Sequence, residues 1–144
     1  MKQPLAWYEL SIAAHVGGLR RALSLKDGRE ERFDPSVGLP GVLRDICGAA
    51  AEQAVAKWRN VYWPGHVDVF HVPDVGRHIA VKYTHHENGH LCVRPDEPDT
   101  NMCVLVNGTP PLMNIVGWVM ADEAKTAPRN GSDHWVPQSD LVLV

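Results

Sequence analysis

The chain has 144 residues, 44% of them hydrophobic and 22% charged, with a formal net charge of −3; one domain of that length buries roughly 68% of the surface its unfolded form exposes. The slight acidity denies it the overall basic footprint of a strong nucleic-acid binder, and no apolar run reaches the roughly 18 residues of a membrane span. Three cysteines, Cys47, Cys92 and Cys103, are an odd number without CxxC pairing, and MKQPLAWYEL lacks the apolar core of a secretory signal, so a reducing cytoplasm is expected rather than a disulfide-stapled, exported or membrane-bound protein.

From the N-terminus, Leu5, Tyr8, Ile12, Val16, Leu19 and Leu23 recur at helical spacing and predict a helix from Leu5 to Leu23, bent at Gly17-Gly18. Arg20, Arg21, Lys26, Arg29 and Arg32, interleaved with Asp27, Glu30 and Glu31, read as a solvated face, and Lys26 to Gly38 as a surface loop. The strongest helix signal is Leu43 to Trp58, where Leu43, Ile46, Cys47, Ala50, Ala54 and Trp58 repeat every three or four positions after Pro40-Gly41. Five β-rich runs follow: Val67 to Val72, His78 to Thr84, Leu91 to Arg94, Val104 to Asn107 and Met113 to Met120. Asn88-Gly89 predicts a tight hairpin, Ala121 to Ala127 a short helix, and Trp135 onward an extended end. This order predicts a single domain over residues 1–144, of α+β class, with N-terminal helices on one face of a mixed, mainly antiparallel sheet.

Three residues carry the chemistry. The helical neighbours of Glu52 are Gly48, Ala49, Val55 and Ala56, none of which can pair with its charge. Among so many alanines an unpaired carboxylate is costly, so water, a distant arginine or a shared metal ion must satisfy it. Asp74 lies in Val-Pro-Asp-Val-Gly, an ordinary turn sequence that also delivers a carboxylate to the start of a strand. On that strand Ile79, Val81 and Tyr83 face a core, while His78, Ala80, Lys82 and Thr84 take the opposite face.

Glu52 on a helix, then Pro73-Asp74, then Ala80-Val81-Lys82 on a strand resembles the PD-(D/E)xK nuclease superfamily, over roughly Leu43 to Arg94. The strings GAAAEQAVAKW, PDVGRHIAVKYT, LCVRPDEPD and IVGWVMADEAK are similar to uncharacterised phage and prophage proteins. The resemblance implies a restriction-endonuclease-like core, with Glu52 and Asp74 as ligands of Mg²⁺ or Mn²⁺ and Lys82 as the catalytic lysine that positions water. It also implies a nucleic-acid partner, DNA by preference, in the cytoplasm of a host cell. Ala80 stands where the superfamily carries its second acidic residue, with Asp68 and Glu87 as candidate replacements. Hydrolysis of a phosphodiester needs positive charge at the phosphate and an activated water, and carboxylates recruit a hard cation for that purpose. The loss at Ala80 leaves a second reading open: a nuclease-like module without catalysis that binds nucleic acid or protein, such as a phage assembly component.

Two rival signals accompany these. His85, His86, His90 and Cys92 are zinc-ligand types around the Asn88-Gly89 turn, although their spacing fits no standard finger; His66, His71 and His78 are scattered. Among the tryptophans, Trp58 and Trp118 read as interior and Trp63 as the exposed one available for base stacking.

Overall fold

The computed structural model describes residues 1–29 and 40–144. Two long helices lead. α1 (Trp7–Lys26) runs unbroken through Gly17-Gly18, and α2 (Gly41–Arg59) ends at Asn60, whose left-handed φ of 54° lets Val61 N–H return to Ala56 O at 3.0 Å. Gly17 marks a close approach rather than a bend, because a Cβ there would sit 2.5 Å from Ile46 Cα of α2. The buried stripe of α1 is Ala13, Val16 and Gly17, small residues that let the helices touch. Tyr8, Ile12 and Leu19 of the predicted stripe stay exposed.

The strands form two sheets. In the larger, β1 (Lys2–Pro4), β5 (Leu112–Met120), β4 (Met102–Thr109) and β2 (Ile79–Tyr83) lie side by side in that order, and β8 (Val142–Leu143) continues the β1 edge of β5. β2 and β4 are parallel and the remaining pairs antiparallel, which makes the domain α+β with the helices packed on one sheet face. The smaller sheet orders β3 (Leu91–Val93), β7 (Asp133–Val136) and β6 (Arg129–Asn130), all antiparallel. A single helical turn, α3 (Ala121–Ala124), follows β5.

Central β4 is buried on both faces, as its unbroken run Cys103-Val104-Leu105-Val106 suggests. Val104 and Val106 pack with Ala49, Ala50, Val55, Met113 and Ile115 beneath the helices; Cys103 and Leu105 pack with Ala80, Leu91, Val93, Val119 and Val136 beneath the smaller sheet. A bulge opposite Leu105/Val106 places an extra residue, Val116, in β5. Gly117 beside it admits the C-terminal segment, since a Cβ would meet Val142 O at 2.7 Å.

Three further expectations are corrected. Val67 to Val72 is no strand: Asp68 and His71 both take positive φ, 56° and 62°, which breaks extended pairing. Asn88-Gly89 turns the chain, with Gly89 N–H bonded to His86 O, but closes no hairpin, because β2 pairs with β4 while β3 leaves for the other sheet. The helix foreseen over Ala121 to Ala127 stops at Ala124. Most of the foreseen Lys26 to Gly38 loop, with Glu30, Glu31 and Arg32, lies outside the described residues. Among the described residues no helix is long and apolar enough to cross a membrane.

Candidate functional site

Glu52 sits in the middle of α2, only 7% exposed, and the arginine from elsewhere is its partner. Arg20 Nη1 and Nη2 donate to Glu52 Oε1 and Oε2 at 2.7 and 2.8 Å, a two-pronged geometry that is the strong form of this contact. Trp63 Nε1 adds a third hydrogen bond at 3.0 Å, and Arg20 Nε ties the fork to His66 O at 2.9 Å. Trp63 is therefore half-buried and engaged, and the most exposed tryptophan is Trp7. Trp58 and Trp118, expected inside, are half-buried and pack against the helix-side core.

Asp74 precedes β2 and closes its free edge. Its Oδ2 accepts Val81 N–H at 2.7 Å, one step beyond the place where Val75 and Ile79 exchange backbone hydrogen bonds. The unpaired edge of an outer strand is thus partly capped. Burial, joined by the negative charge of Glu52, pushes the Asp74 carboxyl from 3.8 up to about 6, against the opposing pull of the Val81 N–H, Lys82 and Arg20. Burial works against the charge of Arg20, yet Glu52 first, then Asp74 and Asp45, hold its pKa above the ordinary value.

Glu52 and Asp74 line one cavity of about 230 Å³ together with Arg20, His66 and Asp68. Asp68 thus shares a wall with them, although its carboxylate is exposed and paired with Arg29 at 3.1 Å. Glu87, the other candidate replacement, is remote from this cavity; its carbonyl oxygen takes hydrogen bonds from Asn107 and Gln138.

Lys82 belongs to the opposite face of β2, as its alternation with Val81 requires, and its Nζ is held by Glu97 Oε2 at 3.0 Å. Burial would release its proton, but Glu97 and then Asp74 keep its pKa raised, so the ammonium stays charged. Asp74 therefore feels both Glu52 and Lys82 electrostatically, while Lys82 opens onto a separate, larger depression of about 900 Å³. Ala80, 3% exposed, packs with Leu91, Cys103 and Leu105 in the second core.

Arg20 and Glu97, which pair with Glu52 and Lys82, are not among the residues that the sequence singles out for the site. Arg20 belongs to a basic cluster with the pattern of a solvated face, although it follows Val16 and Gly17 at helical spacing and so continues the true buried stripe. Glu97 lies in a Pro/Asp-rich loop with no periodic signal; Asn101 Nδ2 fixes its other oxygen at 2.9 Å. His85, His86, His90 and Cys92 do not gather as a zinc site: among the described residues no group of three or more His, Cys, Asp or Glu side chains is arranged to hold a metal ion. A hard divalent cation such as Mg²⁺ takes one or two carboxylates and several waters; Glu52 and Asp74 are two oxygen-donor side chains on one cavity, and both Glu52 oxygens are engaged by Arg20 and Trp63. Comparison with protein-family models, curated proteins and solved structures finds no match to this chain.

Proposed function

We propose that the chain is a divalent-metal-dependent nuclease of the PD-(D/E)xK kind, working on nucleic acid, DNA in the first instance, in the cytoplasm, with its centre at the Glu52–Asp74 cavity. The observation that carries this reading is the convergence of two carboxylates, 22 positions apart, on one small cavity in which the charge of Glu52 helps raise the Asp74 pKa to about 6. Crowded carboxylates that repel each other are what a divalent cation relieves.

Glu52 and Asp74 would hold Mg²⁺ or Mn²⁺, which when bound supplies positive charge at the scissile phosphate and a more acidic water. Asp74 must shed its proton before it can serve, and does so as pH rises through about 6. Arg20 keeps the Glu52 carboxylate aimed and its charge balanced, at the cost of sharing both oxygens. Lys82 stays protonated on the other face of β2, near enough for its charge to act on Asp74, and would offer a donor to a phosphoryl oxygen or to the attacking water only on leaving Glu97.

Supercoiled plasmid and single-stranded DNA incubated with Mg²⁺ or Mn²⁺ test this. Cleavage by the wild type that disappears in Asp74→Asn and Lys82→Ala is the expected result; equal cleavage by all three would place the activity elsewhere.

One observation favours a second reading, a nuclease-like binding module without catalysis. The superfamily's acidic position is occupied by Ala80, deep in an apolar cluster, and Glu52 is already satisfied by Arg20 and Trp63. Nucleic-acid binding that is indifferent to divalent cations and never leads to cleavage would select it.

A further inference from the structure

The larger depression, on the other side of β2 from the carboxylates, has no role in the chemistry above beyond presenting Lys82. Its walls bring together two pairs of flat rings and three cationic side chains. His85 and His86 lie with ring centroids 3.8 Å apart at 40°, and His90 lies against Trp135 with centroids 5.5 Å apart at 37°. Trp135 is 37% exposed because the pleat of β7 turns His134 and Val136 inward and its indole outward. His85, His86 and His90 are exposed on the turn that carries the chain from one sheet to the other. Arg44, Lys82 and Arg94 line the same depression.

Its volume, about 900 Å³, is at the upper end of the roughly 300–1,000 Å³ of small-molecule sites, with room for more than one nucleotide. Rings for base faces and cations for phosphates are what an unpaired strand requires. A duplex hides its base faces in the stack and can use only the cations. The depression also reaches Val81, the residue bonded to Asp74 at the wall of the carboxylate cavity.

We infer that this depression is a single-strand groove in which Trp135 with His90, and the His85/His86 pair, stack unpaired bases while Arg44, Lys82 and Arg94 receive the phosphates. The inference deepens the nuclease reading, on which its link to cleavage rests, by naming the substrate as single-stranded nucleic acid. The ion pair between Arg94 and Asp96, at 3.2 Å with both side chains more than half exposed, is weak enough to be exchanged for a phosphate.

The test is fluorescence anisotropy of a labelled oligothymidylate of about 12 nucleotides, a length within the range that such grooves cover, measured with the full chain in EDTA so that no metal is needed. Wild type should bind the oligomer more tightly than a hairpin duplex, and thymidine monophosphate should displace it only at far higher concentration. Loss of one stacking platform is expected to weaken binding about tenfold or more in Trp135→Ala and several-fold in His90→Ala. Trp135→Phe should bind nearly as wild type, and His15→Ala, on the exposed side of α1, should be unchanged. Equal affinity in wild type, Trp135→Ala and His90→Ala overturns the groove, as does a preference for the duplex or equal binding of the mononucleotide. Trp135-dependent binding without cleavage in Mg²⁺ or Mn²⁺ upholds the groove and removes the nuclease reading; cleavage by a Trp135→Ala protein with wild-type binding does the reverse.

Discussion

The guanidinium of Arg20 and the carboxylate of Glu52 meet fork to fork between α1 and α2, at 2.7 and 2.8 Å, so the acidic residue of the candidate centre is also a fastener between the two helices. Arg20→Ala strips Glu52 of two of its three hydrogen bonds. Removing one partner of a buried pair costs about 3–5 kcal/mol; Arg20 is partly exposed, which reduces the expected loss to about 2–3 kcal/mol, readable as a lower urea midpoint. The double variant Arg20→Met with Glu52→Leu removes both charges and should recover most of that loss. A double variant as unstable as Arg20→Ala would show that the pair does more than neutralise itself.

Asp74 should make stability fall as pH rises. Its folded pKa, about 6, lies above the 3.8 of an ordinary aspartate, so the folded chain holds the proton more tightly than the unfolded one. The penalty is absent below about pH 4, grows through the interval up to 6, and is complete above it. Asp74→Asn, which keeps an oxygen for Val81 N–H, should therefore be more stable than wild type at pH 7.5 by between about 1 and 3 kcal/mol, since each pKa unit is worth about 1.4 kcal/mol. The difference should fade at pH 4. Parallel stability curves for the two proteins across that range would show that Asp74 is not buried against Glu52 as described.

Two adjacent glycines in α1 should respond with opposite sign. Gly18→Ala meets nothing within 4 Å and should gain about 0.5–1 kcal/mol of helix propensity. Gly17→Ala forces a methyl to 2.5 Å from Ile46 Cα and should lose about 2–4 kcal/mol, because backbone must separate from backbone. Chemical denaturation of both variants reads the contrast directly.

Ala80→Glu, the substitution that restores the superfamily's acidic position, carries a folding cost. The new carboxylate would enter the cluster of Leu91, Cys103 and Leu105, two residues along β2 from a Lys82 already paired with Glu97. A loss of about 3 kcal/mol is expected, or a Tm lower by about 10 °C, so cleavage assays belong well below that temperature. Unchanged Tm would mean that the side chain escapes the core toward Asp74.

Periodicity made the helices, β2 and β5 legible and an unbroken apolar run did so for β4, which is buried on both faces; with the short apolar β3 these gave the α+β class. Alternation also set Ile79, Val81 and Tyr83 facing a core, and they are half-buried against the helix-side one. What it could not show is that the second face of β2 is covered too, since the smaller sheet is assembled from β3 and from β6 and β7 about 40 residues later. For the same reason alternation puts Ala80 only on the face opposite Val81, without showing that this face is a second core. Alanine content around Glu52 signalled a buried charge needing a partner, but the choice of Arg20 depends on the helix crossing at Gly17, a tertiary contact without local trace. Val67 to Val72 had the composition of a strand and no partner strand to receive it, so two positive φ angles won over β-propensity.

The most direct measurement is calorimetric titration of Mn²⁺ into wild type, Asp74→Asn and Glu52→Gln at about pH 7.5, where Asp74 has lost its proton. One saturable site in the wild type, absent in Asp74→Asn and weakened in Glu52→Gln, is the expected result. No uptake by the wild type, or the same uptake by all three proteins, would contradict a cation held between these carboxylates.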